Sequence, residues 1–122
     1  MAKGFPVEII TAERSVYSGE ATVVFARTTL GDIGFMAGHI PYVGALMVAP
    51  VKLVHEDGSS DLFAVHGGVI HIDESSKLVI AARMAEAVAD IDIEEAKKVA
   101  AFSSDPNEII SANLRIELSS AN

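Results

Sequence analysis

Four histidines and seventeen carboxylates are the side chains of this 122-residue sequence suited to proton transfer or metal binding, and no cysteine adds a thiolate. The nearest thing to a chemical grouping is Asp32 with His39, an acid and an imidazole seven residues apart in residues 31–46, which read GDIGFMAGHIPYVGAL. A carboxylate that orients an imidazole is a general-base arrangement, but spacing within a turn-rich stretch gives it no more than permission. The sequence has no G-x-S-x-G elbow and no G-x-x-x-x-G-K-S/T phosphate loop. His66 and His71 are five apart. On a strand that points them to opposite faces, unless the intervening Gly67-Gly68 resets the register. Surface or partly satisfied imidazoles are the expectation, not a metal site. Asp90, Asp92, Glu94 and Glu95 lack the glycine and glutamate of a calcium loop and suit a helix start. No residue is therefore assigned as catalytic, cofactor-binding or metal-ligating.

The elements that carry these residues follow from the breakers. Gly31, Gly34, Gly38, Gly44 and Pro41 fall within fourteen residues, which no regular helix accommodates. Ile33, Phe35, Met36, Ile40, Tyr42 and Val43 stand between them, too apolar for a disordered linker. The stretch reads as a compact, ordered loop between strands, as a tight corner of a β-sandwich also would.

Length fits one compact domain with at most a small appendage. Half the residues are hydrophobic, enough for a core, and no run reaches the eighteen or so apolar residues of a membrane span. The formal charge of −8 and pI near 4.8 have the wrong sign for nucleic acid or an anionic membrane surface. Residues 1–6 lack the pattern of a signal or transit peptide, so a cytoplasmic site of action is expected.

Strand signals dominate the first ninety residues. Residues 5–10 (FPVEII) and 21–29 (ATVVFARTT) are rich in strand formers, with Ser18-Gly19 read as a turn between them. Residues 51–56 and 62–66 flank Asp57-Gly58, a hairpin signal because those residues tolerate positive φ. Gly67-Gly68 then reads as a bulge or a crossing between sheets, before strands at 69–72 and 77–82. The class is mainly β: an antiparallel β-sandwich over residues 1–88.

From about Ala85 alanine becomes frequent and the period lengthens towards 3.6. Asp92 reads as a helix N-cap with Glu95 at the third helical position. Ser103-Ser104 ends that helix, and Asp105-Pro106-Asn107-Glu108 starts a second with a cap, a first-position proline and a third-position glutamate. Ile110, Leu114 and Leu118 form its apolar row. Residues 89–122 are thus a short C-terminal α-helical hairpin. Its helices are too short to stand alone, so they must pack on each other or on the sandwich.

Taken in order, Gly31, Asp32, Gly34, Gly38, His39 and Pro41 resemble the G-E-x-G-x-x-P-G-H-x-P pattern of the ε subunits of F-type ATP synthases, with Ala37 where the family usually carries proline. Gly67-Gly68-Val69, Leu114-Arg115-Ile116 and the order of sandwich then hairpin extend the resemblance over nearly the whole chain. It implies a non-catalytic rotor subunit that joins γ to the membrane c-ring, peripheral to the cytoplasmic face of a bacterial plasma membrane. Asp32 and His39 would then lie on the loop that meets the c-ring and γ, with Thr11 in a neighbouring contact position.

The same resemblance bears on regulation. Some family members bind ATP on the hairpin through I/L-D-x-x-R-A; here the segment is Ile91-Asp92-Ile93-Glu94-Glu95-Ala96, with Glu95 in the arginine position. A carboxylate repels triphosphate, so weak or absent ATP binding is expected. Arg115 is the second helix's sole basic residue, which argues against strong inhibition of hydrolysis by that helix. A free-standing ligand-binding β-sandwich regulator and a small hydrolase using His39 with Asp32 are the alternatives.

Overall fold

The computed structural model describes residues 3–121, with side chains to Leu118. Eight strands come first: β1 (Phe5–Ile10), β2 (Ser15–Ala21), β3 (Val23–Thr28), β4 (Gly31–Phe35), β5 (Tyr42–Val54), β6 (Ser60–Ile72), β7 (Leu78–Ala82) and β8 (Ala85–Ala87). A 3-10 turn (Val88–Asp90) leads to the helices α1 (Ile93–Phe102) and α2 (Pro106–Ala121). The hydrogen-bonded strand order is β2-β1-β7-β6-β5-β3-β4, with β8 also on β6.

Two layers arise because β5 and β6, thirteen residues each, are shared between them. The first halves of β5 and the last residues of β6 pair with each other and lead on to β7, β1 and β2. Their other halves lead on to β8, β3 and β4. Between the layers lies one core containing Phe5, Ile9, Val24, Phe35, Leu53, Val65, Ile70 and Ile80.

The change of layer is visible in which residues face that core. On β6 the core residues are Phe63 and Val65, then Ile70 and Ile72; on β5 they are Leu46, then Val51 and Leu53. Odd positions thus give way to even ones along β6, and even to odd along β5. Gly67 (φ +80°) and Gly68 (φ +135°) make the switch on β6. They do so without adding a residue, since Val48↔His66 and Leu46↔Gly68 keep one register, as do Val65↔Ala85 and Gly68↔Ala82. The double glycine is therefore a layer crossing and not a bulge. A Cβ on Gly68 would collide with the backbone carbonyl of Ala81.

Several expectations are corrected. Ser18 and Gly19 lie inside β2, paired with Glu8 and Val7, and the turn falls earlier, at Thr11–Arg14. The glycine-rich stretch is largely strand. Ile33 and Phe35 pair with Ala26 and Val24 to form β4, and β5 begins at Tyr42, not at residue 51. What remains as loop is residues 36–41. One strand pair, β1 with β7, is parallel, so the sandwich is antiparallel except there. Residues 85–87, where the composition already shifts, are still a strand.

The helical start signals behave as read. Asp92 Oδ1 accepts a hydrogen bond from the Glu95 amide at 3.1 Å, and Asp105 Oδ1 accepts one from Asn107 at 2.9 Å. Ser103 donates to Glu108 Oε2 at 2.6 Å, which tightens the turn between the helices. At sixteen residues α2 is about 24 Å long. Leu114 and Leu118 bury against Ala64 and Val88 beside Val48, Leu62 and Ile91. Each such leucine stabilises the docked helix by about 1.5–3 kcal/mol.

Candidate functional site

The three contact residues that the resemblance implies, Asp32, His39 and Thr11, do not form one cluster. Asp32 stands directly opposite Arg27 in the β3–β4 ladder, and its Oδ1 accepts from Arg27 Nε at 2.9 Å. Both side chains are exposed, and the carboxylate holds the guanidinium pKa above its usual value. His39 lies in the 36–41 loop, where Nδ1 is 2.7 Å from the Ile40 carbonyl, the tautomer with a proton on Nδ1 making this a donated bond. Its ring sits 4.9 Å from that of Phe35, a fully buried core residue. The loop is pinned across the sandwich by Gly38, at φ +84°, whose amide donates to Ser76 Oγ at 2.9 Å. Pro41 ends the loop exposed, just ahead of β5.

Gly31 turns the chain into β4 at φ +126°, and Gly34 lies beneath the Phe25 ring, where a Cβ would come within 3.2 Å of it. Thr11 closes the β1–β2 turn instead: its Oγ1 accepts from the Glu13 and Arg14 amides at 3.3 Å. It follows the end of β1 beside Ala81, whereas the 36–41 loop touches Ser76 ahead of β7. The length of β7, on the order of 15 Å, separates them. Asp32 and His39 each have other partners, so the acid–imidazole pair of a hydrolase is not formed.

A broader feature is an apolar strip on the outer face of one layer. Val43, Ala45 and Met47 on β5 lie across from His71 and Val69 on β6, which lie across from Val79 and Ala81 on β7. Val43, Met47 and Val69 are 66%, 48% and 45% exposed, and Met36 and Ile40 of the adjoining loop are exposed as well. Contiguous exposed apolar surface is where a protein or another ligand can dock. Periodicity alone misses it, because alternation along a strand does not tell which face is the core.

Another site lies between the sandwich and the hairpin. Arg115 of α2 reaches Glu86 of β8, Nε approaching Oε1 to 2.6 Å and Nη2 donating to Oε2 at 3.4 Å. His66 of β6 stands 3.7 Å from the same carboxylate. All three side chains are nearly buried. The histidine is thus neither on the surface nor satisfied: neither ring nitrogen has a hydrogen-bond partner among the described residues. Burial pushes its pKa down; the Glu86 carboxylate opposes that shift and the Arg115 cation adds to it. His66 and His71 both point away from the core, one under the helices and one to solvent, because the double glycine resets the faces between them.

A cavity of about 490 Å³ opens next to this triad, with Glu95, Asp105 and Glu108 along its helical wall and Arg83 on the sheet side. Glu95 is exposed, and the Asp92 carboxylate is engaged as the cap of α1. Among the described residues no three or more His, Asp or Glu side chains gather to hold a metal ion.

The structure is thus a small sandwich with an apolar outer strip and a docked helical hairpin. The family described as "ATP synthase, Delta/Epsilon chain, beta-sandwich domain" matches residues 4–88. Sequence relatives named ATP synthase epsilon chain include those of Streptomyces griseus, 47% identical over 98 residues (80% of this chain, 78% of the relative), and Rhodococcus jostii, 43% identical over 105 residues (85% of each). This chain belongs to the ATP synthase ε chains. Its fold matches a chain of the Euglena gracilis mitochondrial ATP synthase (OSCP/F1/c-ring) at a TM-score of 0.66 and 21% identity, covering 93% of this chain and 76% of that one. A chain of the Tetrahymena thermophila mitochondrial ATP synthase central stalk and c-ring matches at 0.62 and 13% identity, covering 95% and 93%.

Proposed function

We propose that this chain is the non-catalytic central-stalk subunit of a proton-translocating F-type ATP synthase, linking γ to the c-ring so that proton flow is coupled to ATP synthesis. The observation that carries the reading is the exposed strip of Val43, Met47 and Val69 on a close-packed sandwich, in a chain of the ε family. An apolar face needs a partner, and a stiff interior transmits torque instead of absorbing it. Residues 1–88 form the unit that binds γ and the c-ring, and residues 89–122 the regulatory hairpin. Asp32, His39 and Thr11 are contact residues of that unit, Asp32 together with its partner Arg27.

The relatives' membership of F1/c-ring and central-stalk assemblies supports the same placement. No described helix is long and apolar enough to cross a membrane, which fits a subunit held peripherally, on this reading at the cytoplasmic face of a bacterial plasma membrane. Because Arg115 is engaged by Glu86, α2 offers no free cation to the catalytic head while docked, and regulation of hydrolysis through it is weak. The test is to tag the chain in its host, solubilise membranes gently and identify what co-purifies. Stoichiometric α, β, γ and c subunits are expected. Recovery of the chain alone, with the host's synthase intact, would overturn the assignment in favour of a free-standing ligand-binding sandwich.

A further inference from the structure

We propose that His66, Glu86 and Arg115 form an acid-sensitive latch, in which protonation of His66 releases α2 from the sandwich. The geometry carries this. Glu86 is the one carboxylate that reaches both bases: Arg115 at 2.6 Å and His66 at 3.7 Å. With His66 neutral, Glu86 and Arg115 balance each other where both side chains are largely shielded from water. A proton on His66 puts two cations on one carboxylate, whose nearer oxygen, 3.7 Å from Nε2, is too far to accept a hydrogen bond from the ring while α2 stays docked. A buried charge without full pairing is strongly unfavourable.

The other groups around the ring do not relieve this. From the β7–β8 link Arg83 is a further cation, itself exposed and screened by solvent, and Val48 of β5 is apolar. Glu95 of α1, Asp105 of the interhelical turn and Glu108 of α2 line the same cavity, but all three are exposed to solvent, which screens them. Undocking α2 uncovers His66 and restores its ordinary affinity for protons. The docked state lowers that affinity, chiefly by burial. Docking is therefore fully favoured above the ordinary imidazole range and weakens as pH falls through it. The latch stands on this interface alone and does not depend on the rotor assignment.

Hydrogen exchange on the full chain tests it, with rates corrected for the intrinsic pH dependence of exchange. Between about pH 7.5 and about pH 5.5, which brackets the ordinary imidazole value, α2 amides should lose protection while those of β5 and β6 keep theirs. One linked proton limits the effect to about tenfold per pH unit. His66→Gln and His66→Phe should each abolish the pH response. A response unchanged in both variants, protection of α2 that is independent of pH in the native chain, or simultaneous loss in α2, β5 and β6 would each overturn the proposal.

Discussion

Arg115 and Glu86, 29 residues apart in the chain, meet within 2.6 Å and form the ionic tie between the hairpin and the sandwich. Both are largely shielded from water, so breaking the pair differs from losing a surface ion pair. Arg115→Met leaves Glu86 buried and alone, and is expected to weaken the docked state by about 3–5 kcal/mol. Glu86→Leu combined with Arg115→Met should cost less than Arg115→Met alone. Urea unfolding followed by a probe on α2 measures both, and equal losses in the single and double variants would contradict the pairing.

Gly68→Ala tests the layer crossing. The added methyl meets the Ala81 carbonyl at a φ of +135°, and the loss should exceed about 3 kcal/mol. Gly58→Ala is the comparator: φ is +88° but no atom lies within 4 Å, so a loss of about 1 kcal/mol is expected. Thermal unfolding of the two variants should rank them in that order.

Asp32→Lys should weaken coupling of ATP hydrolysis to proton pumping in the reconstituted synthase, with little effect on the stability of the isolated chain, because the Arg27–Asp32 pair is exposed. Arg27→Gln separates two roles. If Asp32 acts through its own charge, Arg27→Gln leaves coupling intact; if the pair acts as a unit, both variants uncouple. Normal coupling in both would remove Asp32 from the contact surface.

Two turn carboxylates should titrate below the ordinary aspartate range. Asp57 is held down by hydrogen bonds from the Ser59 hydroxyl and amide, and Asp73 by the Ser75 hydroxyl and the Lys77 amide. Their contribution to stability is present above the ordinary aspartate value and is lost as pH falls through the lowered one. Carbon-detected NMR titration should show Ser59→Ala moving Asp57 back up and leaving Asp73 where it is.

ATP should not bind with micromolar affinity. Glu95, Asp105 and Glu108 line the hairpin cavity, and Asp92 is already committed to the Glu95 amide. Calorimetry that detected such binding, lost in Asp92→Ala, would contradict this.

Local signals were legible in the sequence and distant meetings were not. Asp57-Gly58, Asp92 and Asp105-Pro106 specify a turn and two helix starts through atoms within four residues, so the structure repeats them. The first half of β5 was hidden because Gly44 read as a breaker. Pairing with β6 overrides it, and the ring of Tyr42 covers Gly44. β2 was hidden likewise, with Tyr17 folded over Gly19. His66 gave no signal, since only the arrival of β8 and α2 makes it a buried, unpaired base. In the motif itself, the order of glycines, Asp32, His39 and Pro41 disclosed the family, while the Arg27 partner of Asp32 depended on strand register.

The parallel pairing of β1 with β7 also governs how the chain is born. Val7 and Ile9 are among the first core residues to leave the ribosome, yet the strand that covers their flank, from Leu78 to Ala82, emerges some seventy residues later. Of the pairings of β1, only the hairpin with β2 can form before then, and an isolated hairpin is marginal in water. The sandwich therefore closes late and slowly, as non-local sheets do. Until then Phe5, Val7 and Ile9 lack the neighbour that completes their side of the core.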